Sequence, residues 1–410
     1  MNPLSRPGVL AAASPAPRLS HAFAAVALAL LLGLQPISTD LYLPSLPLLT
    51  RSLHATMGGA QLTMSALILA FGVGQLFWGP VADRAGRRPV LLTGLALYTL
   101  ASIGAAVAPD IGALVAWRAV QGASLAAAVV VARAIVRDLY EPHEGARVMA
   151  LALSGLALIA ACGPPLGGQI AAAFGWRAVF GLVAAAGAAT LAFVAWRLPE
   201  TLHQPDPHAT RLAPLFAAWL RILRQRDFVA WTLLVSCTYG GLFTILAGSS
   251  FVYMNMLGLT PGTYGLVMAS ASGFYLLGTL ACRRWIFRHG VKGAVRRGAG
   301  FTLAGGALMA GLALTGVHAV WAVLLPQWLY CFGHGIHQPC GQAGAVGPFP
   351  RSAGAASALA GFVLALTAFM IGSWLGQVLG ASVLPFALGV GFWALATSLV
   401  GWTLVQRLAR

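Results

Sequence analysis

The sequence predicts an all-α membrane protein of twelve transmembrane helices, arranged as two pseudo-symmetric six-helix bundles. Three observations carry the prediction. The composition is too apolar for a water-soluble surface, apolar stretches of membrane-crossing length recur from Phe23 onward, and the arginines are placed lopsidedly. Of 410 residues, 59% are hydrophobic and 8% charged, with a mean hydropathy of +0.82. Soluble domains carry roughly 25% charged residues. A helix needs about 20 mostly apolar residues to cross the roughly 30 Å hydrocarbon core, whereas an outer-membrane barrel would show alternating segments of about ten. The runs here are continuous and rich in Ala, Leu and Gly.

The first six spans are expected at 23–43, 61–78, 89–108, 111–136, 148–174 and 178–196. The second six follow at 228–254, 264–282, 298–316, 320–341, 355–379 and 384–405. Between the sets lies the longest polar stretch, with Pro199, Pro205 and Pro207. The organisation is then a cytoplasmic N-terminal tail (1–22), a six-helix bundle (23–197), a central loop (198–227), a second bundle (228–405) and a short C-terminal tail (406–410). Residues 23–34 resemble the core of a signal peptide, but no small-residue cleavage site follows and many spans do, so they read as a retained first helix.

A net charge of +16 in a soluble chain would suggest nucleic acid. Its distribution argues otherwise. With the N-terminus inside, 21 of the 25 basic residues fall in cytoplasmic segments, among them Arg6, Arg18, Arg84, Arg87, Arg88 and the groups at 137–147, 197–226, 283–297, 351 and 407–410. Arg51 and Arg177 fall outside, and Arg118 and Arg133 lie within the fourth span. By the positive-inside rule both termini are cytoplasmic and the protein sits in a bacterial inner membrane. In the central loop, residues 211–226 alternate Arg with Leu, Phe, Trp and Ile, the pattern of an interfacial helix. The five cysteines (Cys162, Cys237, Cys282, Cys331, Cys340) show no zinc-ligand or paired spacing and read as small buried hydrophobes.

The loop between spans two and three reads Gly79-Pro80-Val81-Ala82-Asp83-Arg84-Ala85-Gly86-Arg87-Arg88-Pro89. Its two glycines suit a tight turn and close helix approach, and Pro89 suits the first turn of span three. The plain reading is a short basic loop that fixes topology. Gly-x-x-x-Asp-Arg-x-Gly-Arg-Arg also resembles the loop 2–3 signature of the major facilitator superfamily. That resemblance implies a cytoplasmic latch of Gly79, Asp83, Arg84, Gly86, Arg87 and Arg88, with Asp83 facing the start of helix eleven near 351–355. The matching loop of the second half, 283–297, is basic but lacks the Asp.

Span five contains Gly163-Pro164-Pro165-Leu166-Gly167-Gly168. Proline kinks a helix and glycines four apart let a neighbour pack closely. Any membrane helix can use such residues for packing. The order of Gly163, Pro164, Gly167 and Gly168 resembles the helix-five motif of the superfamily's antiporters. Where that motif begins with a further Gly, this chain has Ile159.

Asp40, in Ser38-Thr39-Asp40-Leu41-Tyr42-Leu43-Pro44, is the one acid placed inside the hydrocarbon region. A buried charge is costly and points to function and to a partner. Arg118 is the natural candidate, since both lie in the outer parts of their spans, and a carboxylate beside a guanidinium is suited to carry a proton. The alternative is an outer-interface cap of the first helix. Trp117-Arg118-Ala119-Val120-Gln121-Gly122 resembles the helix-four signature of drug/proton antiporters, and Gln121 shares a face with Arg118. Arg133 and Arg137 are expected to snorkel to the interface.

Span ten holds His334, His337 and Gln338, for substrate or proton binding or for interhelical hydrogen bonds. Two histidines three apart could begin a metal site, but neither an acidic nor a cysteine partner lies beside them, so no metal is expected. Tyr239, Phe243, Tyr253 and Tyr275 are candidates for cavity lining or for packing. Candidate substrate contacts are thus Tyr42, Gln121, Tyr239, Phe243, His334, His337 and Gln338.

Residues 40–47, Arg137-Asp138-Leu139-Tyr140, Leu198-Pro199-Glu200-Thr201-Leu202 and residues 349–357 resemble the Bcr/CflA (bicyclomycin-resistance) group of drug/proton antiporters, with amphenicol exporters as relatives. The resemblance implies alternating access by two rocking halves, with export of an amphipathic small molecule coupled to inward protons through Asp40 and Arg118. Implied partners are the substrate, protons and the lipid bilayer, with no nucleic acid, no cofactor and a monomeric chain. A single-compound exporter is the alternative. An importer would lack the Gly-Pro motif. A sensor would not need both latch and intramembrane acid, and an enzyme would show a nucleophile–base set. No P-loop is present, which excludes ATP-driven export by this chain alone.

Overall fold

A computed structural model describes residues 20–380 and 382–408, and among these every regular element is helical. Most of the expected N-terminal tail, with Arg6 and Arg18, lies outside the described residues, as does Arg410. The first bundle runs α1 (His21–Thr39), α2 (Leu46–Ser52), α3 (Met57–Ala85), α4 (Arg87–Ala106), α5 (Ile111–Leu139), α6 (Pro142–Phe174) and α7 (Trp176–Arg197). A twelve-residue helix, α8 (Leu212–Leu223), leads to α9 (Arg226–Ser250), α10 (Pro261–Leu314), α11 (Val320–Val346), α12 (Ala353–Val378), α13 (Leu384–Trp402) and the short α14 (Leu404–Arg407).

Local chemistry sets the starts of several helices. Ser20, Thr56, Asp110 and Thr260 each accept a backbone N–H of the first turn, which satisfies a donor the helix cannot. Ten continuous helical runs among the described residues are long and apolar enough to cross a membrane. The expected count of twelve follows from two features. α10 is a 54-residue run broken at Gly290, whose φ of 68° lies where glycine carries no Cβ penalty, so it supplies two crossings. α11 is the remaining one, made less apolar by Pro326, Gln327, His334, His337 and Gln338.

Two expectations change. The first span does not run straight to residue 43. Pro36 lies inside α1 and Pro44 and Pro47 follow, so the helix ends at Thr39, turns through residues 40–42 and resumes as a short 3-10 turn, Leu43–Ser45, before α2. Asp40 sits at that break. In the loop 2–3 motif, Gly79 and Pro80 lie within α3, and the turn is made by Gly86 alone, at φ 101°.

The apolar core divides unevenly. At the end of the bundle away from the arginine-rich loops, one cluster joins both halves, with Tyr42, Leu46 and Met64 packed alongside Phe243, Phe251 and Tyr253. At the basic end there are two clusters. One belongs to the first half, and the other to the second half with Trp219 and Ile222 of α8 and Leu76 of α3. The halves share their larger core at the far end and stay in contact at the basic end where α3 meets α12: Leu76 joins the second-half cluster, and a Cβ on Gly361 would sit 2.7 Å from Gln75 Nε2.

Candidate functional site

The break in α1 is gripped from two sides. Asp40 N–H and Leu41 N–H both reach back to Pro36 O, at 2.7 and 3.4 Å. Thr39 Oγ1 lies 3.1 Å from Gln35 O and donates to Asp40 Oδ1 at 2.8 Å. On one side, α6 presents its glycines. A Cβ on Gly163 would lie 3.4 Å from the Asp40 Cβ, while one on Gly167 would run into Leu41 O. The same segment meets the second half, since a Cβ on Gly168 would strike Pro261 O and one on Gly265 would sit 2.6 Å from Pro164 O. The antiporter-like motif is therefore a spacer between the Asp40 turn and the start of α10. Ile159, where the family motif has glycine, is accommodated by Gly33, whose own Cβ would meet Ile159 Cδ1 at 2.6 Å.

Arg118 of α5 holds the other side, without a carboxylate. It is fully buried. Its Nη2 donates to Ser38 O at 3.0 Å, its Nε to Thr63 O at 3.2 Å and its Nη1 to Gln121 Oε1 at 2.6 Å, with its guanidinium 4.7 Å from the Tyr42 ring centre. Gln121 Nε2 donates to Ser102 Oγ at 2.7 Å, and Tyr98 OH bonds Ser38 Oγ at 2.7 Å. The network ties α1, α3, α4 and α5 together around the last turn of α1. Ser38 O is one of the carbonyls that a helix leaves unpaired at its C-terminus, the negative end of its dipole. The expected Asp40–Arg118 ion pair is thus corrected: the cation is balanced by the end of α1 and by carbonyls, one of them two residues before Asp40.

Asp40 itself is only half-buried. It lies within electrostatic reach of Tyr239 of α9 and Tyr264 of α10, in the second half. Tyr239 is half-buried too. Gln338 is also half-buried, and its Oε1 has no hydrogen-bond partner. The other expected contacts are committed elsewhere in this state. Tyr42 is fully buried with its hydroxyl on Thr63 Oγ1 at 2.6 Å, and Phe243 packs in the inter-half core. Gln121 serves Arg118. His334 bonds Thr238 Oγ1 at 3.1 Å, and His337 lies 3.5 Å from Thr302 Oγ1 and 3.3 Å from Val295 O. The histidines tie α11 to α9 and α10, and no group of three or more metal-ligating side chains occurs among the described residues. Arg133, expected at the lipid interface, is exposed and donates to Ser357 Oγ of α12 at 2.9 Å, across the two halves.

At the basic end, Arg87 is buried between two carboxylates, with Nη1 2.6 Å from Asp83 Oδ1 and Nε 2.8 Å from Asp138 Oδ2. Arg84 donates to Thr210 Oγ1 and Arg88 to Ala195 O, both at 2.8 Å. Asp83 is thereby directed to Arg87, and among the described residues it makes no hydrogen bond to the start of α12. Glu200 completes the arrangement. Oε1 accepts N–H groups of Arg87, Thr201 and Leu202 at 2.9 Å, and Oε2 accepts that of Arg88 at 3.1 Å. Burial pushes the Glu200 carboxyl up, but these four backbone donors outweigh it and hold the group below its ordinary range. A Cβ on Gly86 would sit 2.6 Å from Glu200 Oε2, so glycine is required there by space as well as by φ. Glu200, Asp138, Tyr98 and Ser38 were not singled out as site residues by the sequence. Two of them, Asp138 and Glu200, stand in stretches whose family likeness was its only signal.

Comparison with known proteins agrees with this architecture. The chain is 31% identical to the multidrug resistance protein D of Escherichia coli over 82% of its own length and 83% of that protein. It is 30% identical to a chloramphenicol resistance protein of Pseudomonas aeruginosa, covering 91% and 88%, and 25% identical to a bicyclomycin resistance protein homolog of Haemophilus influenzae, covering 93% and 95%. Among solved structures, a D-xylose–proton symporter superposes with a TM-score of 0.73 at 15% identity over 95% of this chain and 98% of that one. The human organic anion transporter MFSD10 does so with 0.71 at 21%, covering 94% and 100%. The Major Facilitator Superfamily model matches residues 28–372, and the chain, a multi-pass membrane protein, belongs to that superfamily.

Proposed function

We propose that the protein is a proton-coupled efflux antiporter that exports amphipathic small molecules across a bacterial inner membrane. The observation that carries this reading is Asp40: a half-buried carboxyl at a break in α1, within electrostatic reach of Tyr239 of the second half and packed against the α6 glycines that also abut α10. A carboxyl so placed exchanges its proton against substrate, and the spacer passes movement of its turn to the second half. Relatives named for multidrug, chloramphenicol and bicyclomycin resistance support drug-like cargo. The arginine distribution supports cytoplasmic termini and cytoplasmic access at the basic end. The larger shared core at the far end, against narrower contacts of α3 and α5 with α12 at the basic end, supports a state closed outward. The latch residues Gly79, Asp83, Arg84, Gly86, Arg87 and Arg88, with Glu200, brace the first half at its cytoplasmic face.

Energy comes from the proton gradient, with no cofactor, and the unit is a monomer. Each charge moved down 100 mV supplies about 2.3 kcal/mol, nearly two decades of concentration. Arg118 holds the turn that presents Asp40, and Tyr239 and Gln338 line the substrate path. In everted vesicles energised by respiration, Asp40→Asn abolishes uphill uptake of exported compounds while the variant remains inserted. Uptake at the wild-type rate, sensitive to an uncoupler, would overturn the assignment.

A further inference from the structure

A cavity of about 450 Å³ opens on the outer face of the bundle near its basic end. That volume is within the roughly 300–1,000 Å³ of ligand sites. It lies between the two halves. Leu76 and Phe77 of α3 form one wall, Leu359 and Phe362 of α12 the other, and Phe216 and Leu220 of α8 the roof. Every lining residue is apolar or aromatic. Trp219 anchors the roof, edge-on to Phe77 and Phe216 with ring centres 6.3 and 5.1 Å apart.

The side chains around it are divided by depth. Leu76 of α3 and Leu359 of α12 are buried and form a floor, and Trp219 is buried under the roof. Phe77, Phe216 and Leu220 are 43%, 57% and 51% exposed, so apolar surface stands open along the rim. In a bilayer that rim faces hydrocarbon, not water. Exposed basic side chains flank the roof: Arg211 precedes α8, Arg224 follows it and Arg226 begins α9, while Arg221 lines a separate cavity with Asp227 on the other side of α8. An apolar slot beneath a helix edged with guanidinium groups has the two-part chemistry of a phospholipid, with a chain for the slot and a phosphate for the arginines.

We propose that this groove binds one acyl chain of an anionic phospholipid whose headgroup is held by Arg211 and Arg224, the arginines that flank α8. The bound chain touches both halves and the linker helix at once. It therefore rests on the surfaces that shift when the halves rock, and its occupancy favours the α3–α12 arrangement seen here. This inference depends on the chain lying in a membrane and not on the export reading.

The test uses purified full-length protein in nanodiscs containing phosphatidylglycerol with a photoreactive diazirine in one acyl chain, compared with the same probe as phosphatidylcholine. Crosslinked peptides are mapped by mass spectrometry. Labelling is expected to concentrate on 73–77 and 216–223, with a phosphatidylglycerol preference of about fivefold for each engaged arginine. Leu220→Trp, which fills the slot, lowers labelling of 73–77 at least about threefold, while Leu212→Trp on the same helix does not. The double variant Arg211→Gln/Arg224→Gln removes the headgroup preference. Labelling no denser here than around exposed Phe392 and Leu395 of α13, or unchanged by Leu220→Trp, overturns the proposal. Displacement of the label by an exported compound would overturn it too, by giving the groove to substrate.

Discussion

Replacing Arg118 by Gln and Asp40 by Asn, singly and together, decides how the buried cation is balanced. In the structure Arg118 serves three acceptors on three helices: Ser38 O, Thr63 O and Gln121 Oε1. Interhelical hydrogen bonds inside membrane proteins average roughly 0.6 kcal/mol and reach about 1.7. Two of the three bonds cross to other helices, since Gln121 shares α5 with Arg118, so their loss removes about 1–3 kcal/mol. Asp40→Asn keeps an oxygen for Thr39 and touches none of these bonds, so it costs little. Groups without shared partners add to within roughly 0.3–0.5 kcal/mol, which sets the expected coupling in the double-mutant cycle. A direct buried ion pair would instead lose roughly 3–5 kcal/mol when either partner is removed, with a coupling of similar size. The assay is unfolding in mixed micelles followed by circular dichroism. A coupling near 3 kcal/mol would refute the carbonyl-balanced account and restore the ion pair.

Three further outcomes follow from the same geometry. Gly167→Ala drives a Cβ into the Leu41 carbonyl whereas Gly163→Ala meets only an ordinary 3.4 Å contact, so the first should cost roughly 1–3 kcal/mol and abolish efflux while the second keeps it. A reversed order would dismiss the spacer role. Glu200 is held below the ordinary carboxylate value, about 4.3; with the folded pKa depressed, its stabilisation is complete above that value and lost as pH falls through the lower one. Exchange protection of the Arg87 and Arg88 amides should therefore stay constant from about pH 8 to 5, drop below about pH 4, and be weakened at all pH by Glu200→Gln. His337→Asn, at a residue buried among interhelical contacts, should lower the melting temperature yet leave the pH profile of efflux unmoved; a shifted profile would make His337 part of the proton path.

The sequence makes the twelve crossings legible because apolar length is additive and needs no partner. The helix start after Asp110 was legible from its cap, whereas the end of α3 at Gly86 was placed too early, at Trp78, because the polar Asp83 and Arg84 read as loop. The break at Asp40 was less so. Hydropathy runs straight through Leu41 and Leu43, and only the prolines around them betray the turn. Arg118 and Gln121 were correctly placed on one face, but the choice of counter-charge was not: carbonyls at a helix end leave no mark in composition, so the nearest carboxylate attracted the assignment. Tyr42, Phe243 and the two histidines show the same limit, since an aromatic or imidazole on a membrane helix reads identically whether it lines a cavity or fills a core. Glu200 lies 113 residues from the amide of Arg87 that it accepts, and only folding brings them together.

Proton release measures the central claim most directly. Addition of an exported compound to the purified, unbuffered protein at a pH where Asp40 carries its proton should release protons from the wild type. Asp40→Asn should release none while still binding that compound. Release of wild-type size from the Asn variant would contradict the account, because the exchange would then run through another group.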